Sequence, residues 1–114
     1  MADSDLDLLQ GTLDVMILKA LSWGPMHGFG IAKWIRSTTD SVLQIEDSAL
    51  YPALHRLAHR GLVDADWAIT ENNRRAKYYT LTTNGRQQLR SRVKAWEKYS
   101  AAVGQVIRAT TAPV

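Results

Sequence analysis

The chain has no cysteine. That excludes a disulfide framework, a thiolate metal site and a thiol nucleophile. Its longest apolar stretches fall far short of the roughly 20 residues a bilayer-spanning helix requires. The opening Met-Ala-Asp-Ser-Asp-Leu-Asp is acidic, the opposite of a secretory n-region, so a cytoplasmic protein is expected. Internal repeats and low-complexity tracts are missing as well. So are G-x-S-x-G, the phosphate-binding P-loop and H-E-x-x-H, and the acids are scattered. An enzyme has almost nothing to stand on, and no cofactor is expected.

What remains is 114 residues, 46% hydrophobic and 22% charged, which suits one globular domain. A domain this small buries only about two thirds of its unfolded surface, so a partner subunit would help it. The charge is unevenly placed. Residues 1–50 hold seven acids and three bases, whereas residues 51–114 hold eleven bases and four acids. The halves therefore carry −4 and +7. A basic side of this kind suits a polyanionic partner. A solvated basic helix that only keeps the protein soluble is the other reading.

Leu9, Leu13, Ile17 and Leu21, with Met16 and Ala20 beside them, predict a first helix over about 9–22. Trp23-Gly24-Pro25 ends it. A second helix is expected over 28–37, with Ile31, Ala32 and Ile35 inward and Lys33 and Arg36 outward. Gly28 and Gly30 cost it about 1 kcal/mol each relative to alanine, or serve close helix packing. The third helix is expected to start near Asp47 or Ser48, both good N-caps, and to end at Gly61. Leu50, Leu54 and Leu57 form its core face, and Pro52 is tolerable in or just after the first turn. Ser48, Pro52, His55, Arg56 and His59 fall opposite the leucines, with Tyr51 at the flank. A buried stripe backed by small, polar and basic groups is what a groove-reading helix needs. His55 and His59 also have the i, i+4 spacing of a metal pair, but no third ligand is evident and no metal site is assigned.

Two strands follow. Val63, Ala65, Trp67 and Ile69 alternate with Asp64, Asp66 and Ala68, which predicts a half-buried strand. Residues 77–82 read as its partner, with one of Tyr78 and Tyr79 in the core and the other on the sheet surface. Between the strands, Thr-Glu-Asn-Asn-Arg-Arg suits a hairpin tip, because asparagine tolerates left-handed backbone. That tip brings Asn73, Arg74 and Arg75 together, with Lys77 just behind. A last helix, capped by Thr82 or Thr83, is expected to run to about Arg108. Leu89, Val93, Trp96, Ser100, Val103 and Ile107 form a heptad-like seam along it. Some 25 helical residues span about 37 Å, more than a domain of this size can cover. The outer part hangs free or packs on another chain, and the tail Thr-Thr-Ala-Pro-Val is expected to fray.

Three short helices followed by a basic hairpin form the winged helix-turn-helix arrangement. The fold expected is mainly α with a small β-hairpin, plus a long C-terminal dimerisation helix. Four segments carry a family likeness over roughly residues 8–110. They are Leu9-Gln-Gly-Thr-Leu-Asp-Val-Met-Ile-Leu, His27-Gly-Phe-Gly-Ile, Ser48-Ala-Leu-Tyr-Pro-Ala-Leu-His-Arg-Leu-Ala-His-Arg-Gly-Leu-Val and Arg74-Arg-Ala-Lys-Tyr-Tyr-Thr-Leu-Thr. The chain resembles the PadR-like transcriptional regulators, in their shorter branch without an added C-terminal helical domain. Departures are mild: Phe29 stands for a usual Tyr, Gly30 for a bulkier residue, Asn73 for a wing-tip Gly and Ala76 for a frequent Pro or Arg.

The resemblance implies a homodimer on a two-fold operator, joined through the last helix and the first. It also implies a repressor, sometimes released by a small molecule. Residues 1–82 are expected to form the DNA-binding domain, and 83–114 the dimerisation helix and tail, in one compact unit. Ser48, Tyr51, Pro52, His55, Arg56, His59, Asn73, Arg74, Arg75 and Lys77 are the candidate contacts to double-stranded DNA. Leu89, Val93, Trp96, Ser100, Val103 and Ile107 are the candidate dimer contacts. Tyr51 is either core or a phosphate contact, and the bases of the tip are either a solvated turn or bound to phosphate or minor groove. Trp96 is an interface anchor, or lines a cavity at the dimer axis, where some family members bind flat aromatic molecules. The rival function is a winged-helix protein-interaction module without specific DNA binding.

Overall fold

The computed structural model describes residues 2–113, with side chains from residue 11. The order is α1 (Ala2–Leu21), β1 (Met26–His27), α2 (Gly28–Thr38), α3 (Asp47–His59), β2 (Val63–Ile69), β3 (Arg75–Leu81) and α4 (Thr83–Ile107). The helical stripes meet as their spacing requires. Leu13, Ile17, Leu18 and Leu21 of α1, Ile31 and Ile35 of α2, and Leu50, Leu54 and Leu57 of α3 are fully buried against one another. Val63, Tyr79 and Leu81 close this core from the sheet. The place of Leu9 on the α1 stripe lies outside the described side chains. Helix α1 begins well before the expected residue 9, because an apolar stripe marks where burial starts and not where backbone bonding starts.

The start of α3 corrects the expected cap. Glu46 is the N-cap, in extended conformation (φ −74°, ψ 148°) and without a side-chain cap bond. Its carbonyl accepts from the N–H groups of Ala49 and Leu50 at 3.0 and 2.9 Å. Asp47 and Ser48 therefore sit inside the first turn, where the Asp47 charge suits the positive end of the helix without capping it. The far end follows expectation. Gly61 adopts φ +74°, and the N–H of Leu62 reaches the Leu57 carbonyl at 2.9 Å.

The sheet differs from the expected hairpin in three ways. A two-residue strand, β1, pairs Met26 with Tyr79 and His27 with Tyr78, so the order is β1-β3-β2 with β3 central. Strand β3 starts at Arg75 rather than at residue 77, which moves Arg75 from the tip into the ladder opposite Ile69. And β2 is not half-buried. Only Val63 is buried, while Trp67 is 54% and Ile69 63% exposed. The alternation marks one face of the strand, but the hairpin extends past the core that would have covered it.

Helix α4 begins tightly packed. The Thr82 hydroxyl accepts from the Gly85 N–H at 2.9 Å and donates to the Gly61 carbonyl at 2.8 Å. Gly85 is buried so closely on the turn after α3 that a β-carbon there would overlap the Leu62 carbonyl oxygen. Leu89 still packs on the core, and Val93 is half-buried. Beyond them Trp96, Tyr99, Val103, Val106 and Ile107 are exposed on a molecule 64 Å long and only 28 Å wide.

One polar group joins three helices. Asp14 of α1 is buried, with its Oδ1 at 3.1 Å from Arg56 Nη2 of α3 and its Oδ2 at 3.6 Å from Arg92 Nη1 of α4. A carboxylate taken from water needs such partners.

Candidate nucleic-acid interface

The core leucines fix which side of α3 looks outward. Ser48, Tyr51, Pro52, His55 and His59 are exposed. Pro52 is the sixth residue of the helix and leaves the Ser48 carbonyl without its i+4 donor, on the solvent side. Arg56 departs from the rest of the candidate set. It is half-buried, and its guanidinium turns back onto Asp14. A helical wheel places Arg56 opposite the leucines, but a long side chain can reach around the helix to a carboxylate 42 residues away in the chain.

Tyr51 lies between the two roles left open for it. Its ring end packs over Gly28 of α2, where a β-carbon would come within 2.7 Å of the hydroxyl and ring, and yet it is 45% exposed. Tyr79 lies behind it in the core. Burial, and secondly Tyr51, push the Tyr79 phenol above its ordinary pKa, so it stays neutral throughout the physiological range. His27, the first residue of the second family-like segment, caps α2: its Nδ1 accepts from the Gly30 N–H at 3.0 Å. Its ring also meets Tyr78 edge-on at 5.3 Å.

The hairpin tip is a three-residue loop, Glu71-Asn72-Asn73, closed by the Thr70 N–H on the Arg74 carbonyl at 2.7 Å. Asn73 takes the left-handed conformation expected of it, φ +59°. Arg74 and Lys77 are exposed, and Arg75 lies 4.8 Å over the Trp67 ring. Lys77 stands directly across the ladder from Trp67.

The fold brings part of the candidate set together. Tyr51, Arg74, Arg75 and Lys77 line one open groove of about 480 Å³ between α2, α3 and the hairpin, along with His27, Gly28, Phe29 and Trp67. Ser48, Pro52, His55 and His59 lie outside the groove lining, on the open face of α3. Phe29 and Trp67 were missed by sequence reasoning, Trp67 because it was assigned to a half-buried face. Along α4 the seam residues Trp96, Val103 and Ile107 are exposed, and Ser100 is half-buried with its hydroxyl donating to the Glu97 carbonyl. Tyr99 and Val106 extend the apolar surface beyond the expected seam. Among the described residues no helix is long and apolar enough to cross a membrane.

Known proteins share this fold. A transcriptional regulator from Clostridium thermocellum superposes with a TM-score of 0.81 at 28% identity, over 90% of this chain and 99% of that one. A PadR family transcriptional regulator from Eggerthella lenta gives 0.74 at 29% identity, over 96% and 93% of the two chains. An uncharacterized protein from Lysinibacillus sphaericus is 29% identical over 90 residues, which are 79% of this chain and 83% of that protein. The model of the transcriptional regulator PadR-like family matches residues 17–91, from the middle of α1 through α2, α3 and the hairpin into α4. With that match spanning well over half its length, and with the four helices and winged hairpin in place, the chain belongs to the PadR-like family of transcriptional regulators, which is not a family of enzymes.

Proposed function

We propose that the protein is a homodimeric repressor of the cytoplasm that binds a palindromic operator through the outer face of α3 and the hairpin. Residues 1–82 serve as the DNA-binding unit, and α4 with its tail as the dimerisation unit. The observation that carries this is the groove in which Arg74, Arg75 and Lys77 flank Tyr51 beside the exposed face of α3. Ser48, Pro52, His55 and His59 face the major groove, while the hairpin, with Asn73 at its tip, holds the backbone. Arg56 acts from behind, fixing α3 on α1 through Asp14.

The test is the salt dependence of duplex binding. Removing one phosphate contact flattens the slope of log affinity against log salt by about 0.9. Arg75→Ala, present twice in a dimer, is expected to flatten it by nearly two units. Equal slopes in variant and parent would remove Arg75 from the phosphate contacts. A protein-interaction module would show no steep salt dependence in the parent.

Effector release is the second part of the proposal. Trp96 lies near the middle of α4 and is 44% exposed in the single chain. Across a two-fold axis the two indoles would flank a space suited to a planar aromatic molecule, with ring centres roughly 4.5 Å or more apart. Such a ligand would release DNA by favouring the non-binding arrangement of the dimer. Planar aromatics are expected to quench tryptophan fluorescence in the parent and not in Trp96→Ala, with that variant still dimeric. Quenching that survives the substitution places the ligand elsewhere.

A further inference from the structure

The groove between α2, α3 and the hairpin contains more than cations. Phe29 is 62% exposed and Trp67 54%, and neither is used by the core. Phosphate recognition alone asks for charge and donors, and it leaves two large exposed rings without a purpose. Their placement supplies one. Trp67 lies between Arg75, stacked over it at 4.8 Å, and Lys77, its partner across the ladder. Phe29 lies on the opposite wall, in the first turn of α2, with its ring 6.2 Å from that of His27. Two exposed rings and three bases thus share one groove, whose lining includes one acid, Glu71. The polymer that offers partners to both is a sugar–phosphate strand, in which anionic phosphates are separated by the C–H faces of the sugars.

We infer that this groove seats one sugar–phosphate strand of the duplex, with Phe29 and Trp67 packed on deoxyribose faces and Arg75 and Lys77 on the flanking phosphates. The inference rests on the proposed DNA contact by α3 and the hairpin, and it adds a component of affinity that salt does not screen. Burying apolar area releases no counterions, whereas phosphate contacts do.

The experiment compares the parent, Phe29→Ala, Trp67→Ala, Trp67→Phe and Arg75→Ala. Random-sequence duplexes of roughly 30 base pairs, enough for two half-sites about one helical turn apart, serve as the probe across a salt series. Phe29→Ala and Trp67→Ala are each expected to weaken binding about tenfold at every salt concentration, with the parental slope. Trp67→Phe is expected to restore most of the affinity. Unchanged affinity in both alanine variants overturns the inference. So does a Trp67→Ala slope as flat as that of Arg75→Ala with full affinity in Phe29→Ala, because the indole would then only hold the guanidinium. A change of oligomeric state in either variant, read by light scattering, would assign the rings to a contact between copies and overturn it too. A parent that shows no steep salt dependence sinks the DNA reading itself. A parent that binds steeply, with both ring variants unaltered, sinks only the sugar contacts.

Discussion

A chain carrying both Val93→Glu and Val103→Glu is expected to run as a monomer where the parent runs as a dimer. Val93 is half-buried within its own chain, and Val103 is 38% exposed. Around them Trp96, Tyr99, Val106 and Ile107 present apolar surface along the outer half of a 25-residue helix. If a second copy covers that surface, the two substitutions place four carboxylates in it. A buried charge without a partner costs on the order of several kcal/mol, and four of them oppose the association of the two copies. Lys98→Glu, on an exposed position of the same helix, makes the control and is expected to leave the dimer intact. Light scattering of the three proteins decides the matter. A dimer that persists in the doubly substituted chain would move the interface off this seam.

Gly85→Ala is expected to lose about 3 kcal/mol of folding stability, the upper end of what overpacking usually costs. The added methyl would overlap the Leu62 carbonyl and come within 2.7 Å of Leu81 Cδ1. The carbonyl cannot yield easily, since it also accepts from the Thr82 N–H at 3.1 Å. Relief requires α4 to lift from the end of α3. Gly11→Ala supplies the contrast. Among the described residues nothing beyond the helix's own backbone lies within 4 Å of its added carbon, and alanine in a helix interior stabilises by about 0.5–1 kcal/mol. Urea denaturation of both variants, with midpoints moving in opposite directions, checks the pair. A Gly85→Ala midpoint equal to that of the parent would mean that α4 docks less closely than the structure has it.

The helices were legible because their information is local and periodic. The leucine stripe of α3, the Gly61 cap and the Thr82 cap each depend on residues within a turn of one another. The α3 N-cap was less so, because Glu46, Asp47 and Ser48 are adjacent polar candidates and the choice depends on how the preceding loop arrives. Strand β1 carries no pattern of its own, since two residues cannot alternate, and it exists only through pairing with β3. The exposure of Trp67 and Ile69 was hidden for another reason. Alternation tells which residues share a face and says nothing of how far the core reaches beneath it. Among the candidate residues, the exposed face of α3 and the left-handed Asn73 at the tip were legible from spacing and residue type, whereas Arg75 was expected in the tip and stands in the ladder. The turn of Arg56 onto Asp14 could not, because the two meet only after three helices have packed.

That meeting sets which motions of the molecule are cheap. Asp14 holds two arginines on separate oxygens, at 3.1 Å toward α3 and 3.6 Å toward α4. Rocking α4 away from α1 strains the longer arm first, where the contact is a loose ion pair. Moving α3 away from α1 must break a hydrogen bond and expose leucines that are 0% accessible. The carboxylate thus works as a pin with a hydrogen bond on its α3 side and a longer ion pair on its α4 side.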